Sequence, residues 1–212
     1  MKLSKPVISI FFIVLFHIVG LTGFLIPALN PIFIKMVPFH LLLMLGLLLY
    51  AHPKFNMHFW LFVLITFLAG FIIEVLGVHT GYIFGSYQYG RTLGFKIAEV
   101  PVLIGVNWVL LIYCTGITIE KLNLKSHILK SIIGAFLLVL LDFLIEPVAI
   151  KFDYWSWTGA NIPVQNYVAW FTFSFIMLLF FNSRQFQKQN TAALALLISQ
   201  FVFFAALNMW PF

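Results

Sequence analysis

Charge is what this chain has least of. Only 8% of its 212 residues are Asp, Glu, Lys or Arg, while 63% are apolar and 18% aromatic. A water-soluble domain carries about a quarter charged residues. So little polar surface cannot cover a body that faces water all round, so the surroundings must be largely hydrocarbon. Cysteine is nearly absent as well. A lone Cys114 inside an apolar run excludes an intramolecular disulfide and a cysteine metal cluster. Of the six histidines, His52 and His58 share one loop, His127 lies in another, and His17, His40 and His79 are scattered. None has the HxxxH, HxxHH or HExxH spacing of a di-iron or zinc enzyme, so no metal site is expected. No glycine-rich phosphate loop opens a helix after a strand, so no nucleotide cofactor is expected either. Despite a formal charge of +6, no basic run is long enough to bind nucleic acid.

What the chain has instead is long apolar runs. A spanning helix needs roughly 20 apolar residues, and seven runs qualify: about 6–27, 32–51, 57–77, 98–119, 127–150, 163–182 and 191–210. Pro27, Pro31, Pro53, Pro101 and Pro163 fall at or near their ends, where proline is tolerated best. The first run is too long for a signal peptide and lacks an A-x-A-like site, so it reads as a retained helix. The fold class expected is an all-α polytopic membrane bundle of about seven transmembrane helices, residues 1–212 forming a single domain. An odd number of spans puts the termini on opposite sides. The N-terminal face collects Lys2, Lys5, Lys54, Lys121, Lys125, Lys130, Arg184 and Lys188; the other collects Lys35, Arg91, Lys96 and Lys151. By the positive-inside rule the N terminus is expected in the cytoplasm and the C terminus outside.

The six acids sort more sharply than the bases. Glu74 ends the third span, Glu99 opens the fourth, Asp142 and Glu146 end the fifth, and Asp153 follows; only Glu120 lies on the N-terminal face. Asp142 and Glu146, at i and i+4, share a helix face about 6 Å apart. Two carboxylates that close in apolar surroundings resist ionising together, so one is expected to hold a proton near neutrality. A neutral acid beside an anionic base suits proton transfer. Pro147 follows at once and is expected to loosen the helix beside them. The alternative is that these acids merely cap helix ends near the headgroups, where charge costs less than at the bilayer centre. Tyr154, Trp155 and Trp157 admit the same two readings, as an interfacial belt or as part of a site. Trp108 and Trp170 lie deeper, each seven residues after a proline, and their ring faces could stabilise a cation.

Between the third and fourth spans lies GVHTGYIFGSYQYGRTLGFKIAEVP, Gly77 to Pro101, with Tyr82, Phe84, Tyr87, Tyr89 and Phe95 interleaved among glycines. It is too glycine-rich for a stable helix and is expected to form an ordered re-entrant or hairpin lid over the acidic end, turning near Gly90-Arg91. A weak internal echo accompanies it. Glu74, an aromatic loop, VPV and Trp108 are matched by Glu146, an aromatic loop, IPV and Trp170. Two hairpins in the same orientation, each giving an acid and a tryptophan, would build a pocket around a pseudo-axis.

The motifs EVLGVHTGYIFGSYQYGRTLGFKIAEVPVLIGVNW, LLDFLIEPVA, YWSW and IPVQNYVAWF occur in that order between Glu74 and Phe171. Together they resemble the carotenoid-biosynthesis integral membrane family, which includes carotenoid hydratases of the CruF and bisanhydrobacterioruberin hydratase type. The chain departs from it at Ala169, where a glycine is expected before the tryptophan. The resemblance implies a linear carotenoid, or an acyclic end of one, as substrate, with membrane lipid around it and other carotenoid enzymes as conceivable associates. The implied reaction adds water across a terminal isoprenoid double bond without a cofactor. Asp142 or Glu146 would be the proton donor, Glu74 or Glu99 the base, and Asn166 would orient water. The aromatic faces of Trp155, Trp157, Trp108 and Trp170 would stabilise the cation, with Tyr87 and Tyr89 in the lid. A cofactor-free carotenoid cyclase shares the first step and differs in pocket wetness; Glu74, Glu99, Asn107, Asn166 and Gln165 lean toward a held water. A proton-coupled transporter or a non-catalytic carotenoid-binding subunit would also keep acids in its spans.

Overall fold

In the computed structural model, which describes residues 3–159 and 161–210, the seven apolar runs are helices, each long and apolar enough to cross a membrane. They are α1 (Lys5–Leu25), α2 (Asn30–Ala51), α3 (Met57–Thr80), α4 (Leu103–Glu120), α5 (His127–Lys151), α6 (Val164–Ser183) and α7 (Thr191–Met209). Polar caps start three of them: Asn56, Ser126 and Asn190 accept from the backbone N–H of Phe59, Leu129 and Ala192. Such caps satisfy donors that the first turn leaves open. The chain is a polytopic helical bundle. Lys2, one of the bases counted toward orientation, lies outside the described residues.

α4 is apolar on every side, and nearly all of it from Ile104 to Ile117 is buried. A helix of that kind belongs in the middle. It packs against α3, α5, α7, α2 and α6, while α5 pairs with α6, and α1 with α7 and α2. The other helices leave wide apolar faces outward, such as Phe11, Phe39, Leu64, Phe136 and Val202, as a lipid solvent requires. Pro147 does not end α5, which runs on for another turn to Lys151.

The segment between α3 and α4 is ordered, but not as the sequence suggests. Tyr87–Tyr89 forms strand β1, and its partner is not its own chain neighbour. It pairs antiparallel with β4 (Trp155–Trp157), from the loop after α5, in the register Tyr87↔Trp157, Gln88↔Ser156 and Tyr89↔Trp155. Alternation decides this pairing. Each strand reads aromatic–polar–aromatic, so antiparallel pairing puts four rings on one face and Gln88 and Ser156 on the other. Further bonds extend the seam: Gly90 N–H donates to the Tyr154 carbonyl at 2.9 Å and Thr158 N–H to Ser86 at 2.9 Å. A Cβ on Gly90 would sit 2.1 Å from the Asp153 carbonyl oxygen, so the close approach requires glycine.

The hairpin turn expected near Gly90-Arg91 lies further on. β2 (Lys96–Ile97) and β3 (Val100–Pro101) pair antiparallel, and the turn is Ala98-Glu99, with left-handed φ of 49° and 62°. α4 therefore starts at Leu103, five residues after the expected position.

Candidate active site

The four rings of the β1–β4 ribbon form the ceiling of a cavity of about 410 Å³. Beneath them Glu74 and Glu146 each meet three donors. Glu74 accepts from the Tyr87 hydroxyl at 2.6 Å and the Tyr89 hydroxyl at 2.8 Å on one oxygen, and from Trp108 Nε1 at 3.0 Å on the other. Glu146 accepts from Trp155 Nε1 at 3.0 Å and Trp157 Nε1 at 2.9 Å on one oxygen, and from Asn166 Nδ2 at 3.2 Å on the other. Both side chains are almost wholly buried.

The internal echo of the sequence thus has a spatial form. The loop after α3 supplies two donors to the glutamate of α3, and the loop after α5 supplies two to the glutamate of α5. An antiparallel pair maps onto itself about its middle, so the Gln88–Ser156 pair marks the pseudo-axis. The deeper tryptophans of the two halves meet each other, Trp108 and Trp170 having ring centroids 4.6 Å apart.

The halves differ one turn earlier on the helix. Asp142 precedes Glu146 by four residues, whereas Gly70 occupies that place before Glu74. A Cβ at Gly70 would fall 2.6 Å from the Trp108 ring, so the tryptophan fills the volume that a carboxylate takes in the other half. Asp142 is wholly buried and lies behind the cavity wall rather than in it. One oxygen accepts from Asn166 Nδ2 at 2.8 Å, and the other has no partner among the described residues. The Asn166 amide therefore bridges the two carboxyls.

Tyr87 and Tyr89 lie in the loop, outside the spans. Burial pushes both phenols well above their ordinary range, and the adjoining Glu74 adds to the effect. They stay protonated and act as donors.

Of the expected site residues, Glu74, Glu146, Tyr87, Tyr89, Asn107, Asn166, Trp108, Trp155, Trp157 and Trp170 all line the cavity. Glu99 does not. It is exposed at the tip of the β2–β3 turn, because the hairpin carries it away from α4. Gln165, expected to help hold water, instead donates to the Tyr82 carbonyl and ties the lid to α6. Asp153 is exposed and accepts from Arg91 N–H at 3.1 Å, a bond that fastens the two loops. Three cavity residues were passed over in the sequence: His17 of α1, His40 of α2 and Gln200 of α7. Their spacing fits no metal motif, and the signal available was only that each is polar in mid-span.

One curated relative, the bisanhydrobacterioruberin hydratase of Haloarcula japonica, is 26% identical over 117 residues, 52% of this chain and 40% of that protein. The match thus spans less than half of the relative's length. No solved structure matches the chain. The family model described as "Carotenoid biosynthesis protein" matches residues 33–211, from α2 to beyond the end of α7 and including the whole ribbon and both glutamates. The chain belongs to that carotenoid biosynthesis family.

Proposed function

We propose that this protein hydrates a terminal double bond of an acyclic carotenoid end, by acid-initiated protonation and capture of the cation by water. The observation that carries the reading is the unequal pair of buried glutamates facing one aromatic cavity. Glu146 has a second carboxyl bridged to it by Asn166, whereas Glu74 stands alone among three donors. Carboxyls crowded in this way share a proton more readily than they carry two charges. Glu146 is then the proton donor, since it borders the cavity and Asp142 does not.

Transfer of that proton to the less substituted alkene carbon leaves a tertiary cation. A carboxylic acid is a weak donor to an alkene, so stabilisation of the developing charge must supply most of the barrier reduction. In this scheme the Glu74 carboxyl, held by three hydrogen-bond donors, and the rings of Trp108, Trp155, Trp157 and Trp170 surround the space where the charge develops. Water adds to the tertiary carbon and gives a proton to Glu74. Return of that proton to the Glu146–Asp142 pair closes the cycle. The product is a tertiary alcohol heavier than the substrate by one water.

A cyclase would make the same cation and lose a proton after ring closure, with no change in mass. Asn107 and Asn166 on the cavity wall supply sites for water and favour hydration. Expression in a strain that accumulates lycopene tests the reading directly. A product heavier by one water supports it, and an isomer of unchanged mass would replace it with cyclisation.

A further inference from the structure

A hydroxyl in an apolar helix can satisfy itself on its own backbone. Thr22, Thr80, Thr118, Ser131 and Thr172 do so, each donating to the carbonyl four residues earlier at 2.6–3.0 Å. Thr115 of α4 and Ser174 of α6 do not. Both are wholly buried, and neither hydroxyl has a partner among the described residues. The second carboxyl oxygen of Asp142 is in the same position. Each such atom costs free energy that a hydrogen-bonding partner would recover.

The three lie along one seam between α4, α5 and α6. On α6, Asn166, Trp170, Ser174, Leu178 and Asn182 follow at intervals of four residues and share a face. That row runs antiparallel along α5. Asn166 donates to Asp142 at 2.8 Å, Leu178 Cδ1 lies 2.6 Å from where a Cβ on Gly134 would be, and Asn182 donates to Ser131 at 3.0 Å. Ser174 therefore faces the stretch of α5 between Asp142 and Gly134. Thr115 closes the same place from α4, its Cγ2 3.1 Å from the Gly134 position. Asp142 and Gly134 are eight residues apart, about 12 Å along the helix, so Asp142, Ser174 and Thr115 follow one another at about one turn. Steps of that size are too long for a direct hydrogen bond and fit one bridging water each.

Both ends of the seam have a polar terminus. Toward the N-terminal face it passes Ser131 and Asn182, whose carbonyl accepts from Lys188 Nζ at 3.1 Å. Lys188 and Lys130 flank the partly exposed Glu120, the one acid on that face. At the other end Asp142 lies behind the cavity wall, so the seam meets the carboxyl pair without opening into the cavity.

We propose that this seam is a proton path, built of hydroxyls and bridging water, between the Asp142–Glu146 pair and the aqueous phase at the N-terminal face. It rests on that pair holding the proton used in the proposed reaction. A proton taken up beside Glu120 passes to the first water. Each hydroxyl then accepts one proton and gives up another, and Asp142 receives the last, so one carboxylate is neutralised for each proton drawn from the phase. The cavity creates the need, because a ligand end lying between Glu74 and Glu146 separates base from donor. Glu74 gives its proton to water once the product leaves, and the pair takes one up from behind the wall. No net proton is consumed.

Deuterium exchange of the pair tests the path without substrate. Purified protein in lipid nanodiscs is mixed rapidly into D2O, and infrared spectra follow the carbonyl stretch of the protonated carboxyl, assigned by its loss or shift in Asp142→Asn and Glu146→Gln. Ser174→Ala and Thr115→Val each remove one hydrogen-bonding station and are expected to slow exchange about tenfold. Thr66→Val should leave the rate unchanged, because Thr66 is an equally buried and unpartnered hydroxyl on α3, outside the seam. Exchange as fast in Ser174→Ala and Thr115→Val as in the unaltered protein overturns the path and leaves the proton-sharing pair standing. Equal slowing by Thr66→Val also overturns it, since the effect would then be general loosening. A spectrum with no protonated-carboxyl band that responds to Asp142→Asn or Glu146→Gln overturns the pair and the path together. None of these outcomes depends on whether water or a second double bond captures the cation, which product mass decides separately.

Discussion

Glu74 and Glu146 have the same number of donors, and what separates them chemically is the residue one turn earlier. Asp142 puts a second carboxyl behind Glu146; Gly70 leaves room for Trp108 against Glu74. Substitutions by the amide test this asymmetry while keeping side-chain size. Glu146→Gln removes the acidic proton, and loss of a catalytic proton donor costs about 10²–10⁴ in rate. Glu74→Gln removes the anion facing the cation and is expected to lower product comparably. Asp142→Asn acts through Asn166 and Glu146 without touching the cavity. It should leave more activity than Glu146→Gln and move the pH profile, because an amide neighbour no longer repels a charge on Glu146. Carotenoid analysis, normalised to the protein recovered in membranes, reads all three. Near-normal hydrated product from Glu146→Gln would make the cluster structural, where loss of one helix-end hydrogen bond is worth only about 1 kcal/mol.

Each helix–loop unit supports its own glutamate, so the integrity of an element should be readable at the site. Gly70→Ala places a Cβ against Trp108, whose ring is itself held by Trp170 and Phe173 at 4.6 Å each. Overpacking of this kind typically costs about 1–3 kcal/mol, and the Trp108–Glu74 bond should be lost with it. Gly46→Ala in α2 is the matched control, since nothing lies within 4 Å of its Cβ. There the better helix propensity of alanine should leave stability unchanged or raised by up to about 1 kcal/mol. Thermal unfolding in detergent separates the two, and equal midpoints would mean that α3 can shift away from α4. The glycine-rich segment shows where sequence reading stops. Its aromatic alternation is visible in the chain, and so is the similar run at Trp155–Trp157, but each reads as a local feature. That Tyr87–Tyr89 should pair with a strand more than sixty residues away follows only from the bundle bringing the loops after α3 and α5 together at one end. The same gap displaced Glu99, because Ala98 and Glu99 adopt left-handed backbone without a glycine or asparagine to announce it.

At the scale of the whole molecule, hydropathy alone locates the seven helices, because length and apolarity are all that a span requires. It does not say which helix is central, since α4 is less apolar than most of its neighbours and only packing sets it in the middle. Nor does it reveal that Phe16 and Val19 of α1 and Met36 and Phe39 of α2 both line the cavity and face outward. On the proposed function, these side chains mark where a long hydrophobic ligand would pass from the lipid toward the glutamates. Orientation decides which leaflet lies beside the ribbon. Basic residues favour the N-terminal face, where Lys5, Lys54, Lys121 and Lys125 lie at helix starts and turns and Lys130 and Lys188 flank Glu120 at 2.5 and 3.6 Å. The ribbon face is therefore expected outside the cytoplasm. Ser86 is exposed beside β1 and Ser183 is exposed at the other end of the bundle, so single cysteines at these two positions report opposite sides. The native Cys114 is wholly buried in α4 and should not react. With an impermeant thiol reagent on intact cells, cysteine replacing Ser86 should be labelled, and cysteine replacing Ser183 should react only after the membrane is opened. The reverse pattern would turn the bundle over and place the cavity ceiling against the cytoplasm, because the ribbon and both glutamates lie at the same end of the spans.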